Sequence, residues 1–153
     1  MVRACAAVFC SALLLALGAC SSPSFNSRWE KADAAQQADP YAGAWVGRWA
    51  SKKHPGEGGK LWCILTPTGS EGTEYTAEFK ARWRGMFESS HSVTLQVPAG
   101  QTSQVRQFAG TSELHTVLGR GTYNCQGVMT PVKFGAKYNA TYDSGLLELS
   151  RPQ

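Results

Sequence analysis

Residues 75–84 read Tyr75-Thr76-Ala77-Glu78-Phe79-Lys80-Ala81-Arg82-Trp83-Arg84. Apolar and polar side chains alternate along the stretch, and a period of two marks a strand with one buried and one charged face. Gly85 turns the chain, and Phe87, Ser89, His91, Val93, Leu95 and Val97 continue the buried phase, which predicts a long β-hairpin. Further strands are expected over 44–49, 60–66, 104–110, 122–127, 132–138 and 146–151. Turn signals separate them: His54-Pro55-Gly56-Glu57-Gly58-Gly59, Pro67-Thr68-Gly69, Pro98-Ala99-Gly100, Gly119-Arg120-Gly121 and Asp143-Ser144-Gly145. No helical pattern longer than two turns follows Pro40. About eight short strands in up-and-down order, without a βαβ rhythm, define an all-β domain over residues 41–153. It is a small antiparallel barrel or a strongly bent sandwich, and full closure would remove exposed strand edges.

The chain has 153 residues, enough for one such domain and too few for two sizeable cores. Glycine, at 16 residues, is plentiful enough to supply the turns. The formal charge of +4 comes from 15 basic and 11 acidic side chains scattered along the chain. A nucleic-acid partner is not expected, because that needs a concentrated basic stripe.

The N-terminal residues follow a different logic. Arg3 is the only charge before Arg28, an apolar run covers 4–16, and the exit reads Leu17-Gly18-Ala19-Cys20. A basic start, an apolar segment of about 7–15 residues and small residues at the exit predict a secretory signal peptide over 1–19. The run is shorter than the roughly 20 residues of a membrane-spanning helix. Leu17 to Cys20 resembles the lipobox of bacterial lipoproteins. The resemblance implies that Cys20 becomes the mature N-terminus, carrying a thioether-linked diacylglycerol (palmitate being a typical acyl chain) and an acylated amine. Several acyl chains, at about 0.8 kcal/mol per buried methylene, anchor a protein stably to a membrane. Ser21 implies, by the same resemblance, sorting to the outer membrane, with the domain in the cell envelope facing the periplasm. The alternative is an ordinary cleaved signal that happens to end in cysteine.

The cysteine count follows from this processing. Cys5 and Cys10 leave with the signal, Cys20 is lipidated, and Cys63 and Cys125 remain as an even pair in an oxidising compartment. A Cys63–Cys125 disulfide is therefore expected, with two free buried thiols as the competing state. Between anchor and domain, residues 20–40 read as a linker with Pro23 and a short helix. Ser27-Arg28-Trp29-Glu30 fits a capping box with Ser27 as N-cap. Trp29, Ala32 and Ala35 make a narrow stripe, suited to a spacer helix or, alternatively, to docking of Trp29 on the barrel or the headgroup layer.

Gly43-Ala44-Trp45 and Gly47-Arg48-Trp49 are similar to the opening strand of lipocalin-like barrels. Together with Gly59-Lys60-Leu61-Trp62-Cys63, the 77–83 strand, Gly121-Thr122-Tyr123-Asn124-Cys125-Gln126-Gly127 and the terminal run from Tyr142 to Arg151, they resemble a group of small bacterial lipoproteins of uncharacterised activity. The resemblance covers roughly residues 29–152 and implies secretion and a β domain, with no activity attached.

Candidate chemistry is concentrated on the buried phase. Phe79, Trp83, Ser89, His91, Phe134 and Tyr138 are candidate ligand-lining residues, with the small Ala77, Ala81 and Ala136 leaving room among them. A small apolar ligand would fit such a cavity, with His91 as a polar anchor. The alternative is a filled barrel in which His91 bonds Ser89 or a tyrosine. No catalytic constellation stands out: there is no GxSxG, and Asp33, Asp39 and Asp143 are the only aspartates. His54, His91 and His115 are too far apart in sequence to specify a metal site, and the Gly56–Gly59 loop lacks the GK[ST] of a phosphate loop. Lys80, Arg82 and Arg84 form an outward basic row, read first as a solvated face. Lys52, Lys53 and Lys60 read as a solvated loop or one that faces anionic lipid. The expected protein is thus a membrane-anchored, non-enzymatic binding module without cofactor or metal, for a small apolar ligand or an envelope protein partner. Its alternative is a structural envelope lipoprotein with a filled core and surface contacts only.

Overall fold

A computed structural model of the chain describes residues 24–153 apart from 37, 102, 117 and 118. Residues 1–19, where a signal peptide is expected, and Cys20 and Ser21 lie outside the described residues. Eight strands follow in order: β1 Gly43–Ser51, β2 Gly58–Pro67, β3 Glu74–Trp83, β4 Phe87–Gln96, β5 Arg106–Thr116, β6 Gly119–Met129, β7 Lys133–Ala140 and β8 Ser144–Ser150. Each pairs antiparallel with its neighbour, and β8 returns to β1, so the all-β domain is a closed up-and-down barrel rather than a sandwich.

The hairpin that decides the fold is fully paired, from Glu74↔Gln96 to Trp83↔Phe87. Its turn places Arg84 at φ 49° and Gly85 at φ 75°, a left-handed pair that matches the right-handed twist of the flanking strands. The expected basic row is present, but it is charge-paired: Glu88 receives Lys80 and Arg82, each at 2.7 Å, and Arg84 reaches Glu57 at 3.4 Å.

Strand boundaries differ from the sequence expectation by one to several residues, most of all at β5 and β6. β5 and β6 are each longer than the 104–110 and 122–127 runs, and Gly119 and Gly121 belong to β6 rather than to a turn. Continuous pairing from Arg106↔Met129 to Thr116↔Gly119 holds the glycines extended, overriding their local turn preference. Glycine is required where the barrel closes. A Cβ on Gly47 would stand 1.9 Å from the Glu148 carbonyl oxygen, so a side chain there would push β1 and β8 apart.

The inward phase forms one core. Trp45, Leu65, Tyr75, Phe79, Val93, Leu95, Phe108, Met129, Phe134 and Leu149 are buried in it. Phe134 is its hub, stacked on Phe108 at 4.7 Å and edge-on to Phe79 at 6.2 Å. One end of the barrel is sealed by polar side chains. Tyr75 donates to Asp39 Oδ2 at 2.7 Å and accepts from Arg106 at 2.9 Å, while the Arg106 guanidinium covers the Tyr41 ring at 4.1 Å.

Cys63 and Cys125 correct the disulfide expectation: both are buried free thiols. They belong to β2 and β6, which stand four strands apart around a ring of eight. A disulfide needs α-carbons within about 7 Å, and opposite walls of a filled barrel are held further apart by the side chains between them. Burial raises the Cys63 thiol well above its ordinary pKa and pushes Cys125 up to about 12.

The tether helix is also corrected. α1 spans Phe25–Lys31 with Ser24, not Ser27, as N-cap: Ser24 Oγ accepts from the Ser27 amide at 3.3 Å. A second turn of helix, α2, covers Asp33–Gln36. The earlier start lets Phe25 and Trp29, four residues apart, face the same way and pack on Ala32, Ala44 and Ile64. Trp29 Nε1 donates to the Trp45 carbonyl at 3.2 Å, and Arg28 meets Glu78 at 2.5 Å. The helix is therefore docked on the outer barrel wall through Trp29, the second of the two readings of its stripe.

Candidate functional site

The ring has one weak seam. β4 and β5 pair only at Thr94↔Thr111, Leu95↔Gly110 and Gln96↔Ala109, although each strand is far longer. Gly110 is at the centre of this short contact: a Cβ there would lie 2.4 Å from the Thr94 carbonyl oxygen, so the approach requires glycine. Beyond it, towards the β3–β4 turn, the two strands part.

A cavity of about 450 Å³ occupies this unsealed half of the barrel. Inward residues Trp49, Leu61, Phe79, Ala81, Tyr123, Tyr138 and Leu147 line it, together with the outward Ser90, Ser92, Glu113 and His115. The outward Ser90 and Ser92 of β4 and Glu113 and His115 of β5 belong to the stretches that the β4–β5 pairing leaves free, so the cavity leads out through a slot between β4 and β5. The band Phe79–His91–Tyr123–Tyr138 crosses the interior, with ring centroids 5.4, 4.5 and 6.0 Å apart in turn.

Of the six candidate lining residues, Phe79, Ser89, His91 and Tyr138 border this cavity. Phe134 does not, because it is at the centre of the filled half, 2% exposed. Trp83 has run past the cavity to the hairpin end, where it meets Phe87 at 5.5 Å and lies beneath Arg84 at 4.5 Å. Trp49, Leu61, Tyr123 and Leu147 are lining residues that the sequence reading did not single out. Their inward phase was readable, but only closure of the ring puts β1, β2, β6 and β8 around the same space as β3 and β4.

The polar groups of the site are held in specific protonation states. Burial lowers the His91 pKa to about 4, so its imidazole is neutral near pH 7. Its Nε2 has no hydrogen-bond partner, and neither has Ser112 Oγ across the slot. His91 thus does not make the Nε2 bond to Ser89 or a tyrosine that a filled core would supply. Tyr138 donates to Asp143 Oδ2 at 2.6 Å, and burial with that bond raises its pKa. Asp143 is itself fixed by Ser51 at 2.6 Å and the Ser144 amide at 2.8 Å. Among the described residues, no group of three or more metal-ligating side chains gathers at one place: His91 and His115 border the same cavity, and His54 does not.

A second, larger hollow of about 870 Å³ lies across the outer face of β5 to β8, bordered by Ala109, Val128, Gly135 and Leu146 with Gln107, Gln126, Lys137 and Glu148. It is a shallow groove in the wall. The slot cavity is the one framed by aromatic rings.

Fold and cavity together define a small closed β-barrel, filled at one end and hollow at the other. No protein-family model matches the chain, and neither a search of curated proteins nor one of solved structures found a match.

Proposed function

We propose that this protein is a lipid-anchored envelope lipoprotein whose barrel binds a small apolar ligand without transforming it. The observation that carries the reading is the aromatic-framed cavity of about 450 Å³, within the roughly 300–1,000 Å³ that small-molecule sites occupy. A filled structural core would leave no such volume. Neutral His91 and the two protonated tyrosines supply polar anchors and no activated nucleophile, which favours a binder over an enzyme. Anchoring is supported by the lipobox ending at Cys20, the outer membrane by Ser21, and the lipocalin-like comparison by the glycine-x-tryptophan of β1 in a closed eight-stranded ring.

Native mass spectrometry of protein purified from its own envelope tests both halves. The expected result is a mature chain acylated at Cys20 plus a small molecule that is lost in the Ala81→Phe variant, which fills the cavity. Retention of the molecule by that variant would place binding elsewhere. A mature chain whose intact mass shows no acyl group at Cys20 would remove the anchor.

A further inference from the structure

α1 determines where the anchor meets the domain. The helix packs on Ala44 of β1 and Ile64 of β2, and its first turn lies beside β3 and β4: Asn26 Oδ1 accepts from Lys80 Nζ at 3.0 Å, and Phe25 and Arg28 border a small cleft with Ser90 and Ser92. Cys20 is four residues before the N-cap Ser24, and four extended residues reach at most about 14 Å. Lys80 is in turn four residues from Arg84, about 13 Å along a strand. An anchor at Cys20 therefore brings the β3–β4 turn, and with it the unsealed end of the barrel, within reach of the bilayer surface.

That rim has the composition of a membrane-contacting surface. Met86 is 75% and Phe87 55% exposed at its tip. Lys52 and Lys53 project from the β1–β2 turn, Arg84 from the β3–β4 turn, where it pairs with Glu57, and Arg120 is exposed near the start of β6; Glu88, on Lys80 and Arg82, and Glu113 are the exposed carboxylates beside them. Exposed apolar side chains flanked by cations suit the boundary between headgroups and acyl chains of an anionic membrane. At the sealed end Val105 and Val132 are also exposed, with Lys133 beside them, but Arg106 and Arg151 turn inward onto Tyr75 and backbone carbonyls.

We propose that the rim around Met86 and Phe87 docks on an anionic bilayer surface, so that the β4–β5 slot opens at the lipid. This rests on the anchored-binder reading and adds the orientation of the barrel and the source of its ligand.

The test uses the full mature protein in vesicles of phosphatidylethanolamine and phosphatidylglycerol with brominated acyl chains. An environment-sensitive dye is placed at Met86→Cys or, at the opposite end, at Val132→Cys; the buried Cys63 and Cys125 stay unlabelled. The expected result is that the dye at 86 shifts to the blue and loses most of its emission to bromine, while the dye at 132 does neither. A Lys52→Gln/Lys53→Gln variant is expected to weaken docking, since each lysine contributes about fivefold in partition to an anionic surface. Equal quenching at both ends, or none at 86, overturns the proposal. A dye at 86 that is shielded before vesicles are added, with sedimentation showing a dimer, assigns the rim to a second copy and also overturns it. Intact mass of the same sample separates the two readings: an acylated protein with an unquenched rim keeps the anchor and loses the docking, and an unacylated Cys20 removes both.

Discussion

The guanidinium of Arg151 lies over the ring of Trp45, 3.7 Å from its centroid. From there it donates to the Ala42 and Ala44 carbonyls at 2.8 and 3.1 Å, to Pro131 at 2.9 Å, and to Pro40. One side chain just past β8 thus joins the entry of β1, the β6–β7 turn and the largest ring of the core floor. Arg151→Ala is expected to cost about 2–4 kcal/mol, the scale of several charge-assisted bonds plus a cation–π contact. Arg151→Lys should recover less than half of this, because a point charge cannot serve the diverging carbonyls. Urea unfolding of the three proteins checks the order.

The barrel seam offers a paired test in glycine. Gly47→Ala places a methyl 1.9 Å from the Glu148 carbonyl oxygen, and overpacking against backbone should cost about 3 kcal/mol or more. Gly135, by contrast, has no heavy atom within 4 Å of a built Cβ. Gly135→Ala should be neutral or slightly stabilising, by up to about 1 kcal/mol, through a less mobile unfolded chain. Thermal melts that lower both equally would refute the seam as the reason for Gly47.

His91 links the cavity to pH. Its folded pKa, lowered by burial from 6.5 to about 4, is below its unfolded value, so the unfolded chain binds the extra proton between those limits. Stability is fully present above pH 6.5 and is progressively lost as pH falls towards 4. The loss should be of order 3 kcal/mol. His91→Phe keeps a ring against Phe79 and should abolish this acid limb, measured as the difference between the two proteins' unfolding free energies at successive pH values.

The two thiols give a covalent readout. Burial and raised pKa values predict that Cys63 and Cys125 resist alkylation in the folded protein and that both react once urea is added. Intact mass after non-reducing denaturation should show two alkyl groups on these positions. A protein that accepts none until a reductant is added would restore the disulfide.

The strands were legible because their signal is local. Tyr75, Ala77, Phe79, Ala81 and Trp83 face one way whatever surrounds them, so β3 and β4 could be read residue by residue. Where a longer-range partner decides, reading failed. Gly119 and Gly121 look like turn residues until β5 pairs with them, and Ser27 looks like a cap until Phe25 is needed on the wall. The cavity was legible in part. Inward phase marked Phe79, Ser89, His91 and Tyr138, but phase cannot say at which height along the barrel a residue sits, and height separates them from Phe134 and Trp83.

The amino-acid sequence by itself determined the all-β class, the strand count and the face each strand buries. These depend on side-chain order along one chain, where alternation and spacing are sufficient causes. Tertiary structure alone decided that the ring closes, that Cys63 and Cys125 sit on opposite walls, that α1 lies on the barrel, and that β4 and β5 part to open the cavity. Those outcomes depend on which strands meet in space and how closely. A missing side chain at Gly47 or Gly110 sets that approach only once the opposing backbone is in place.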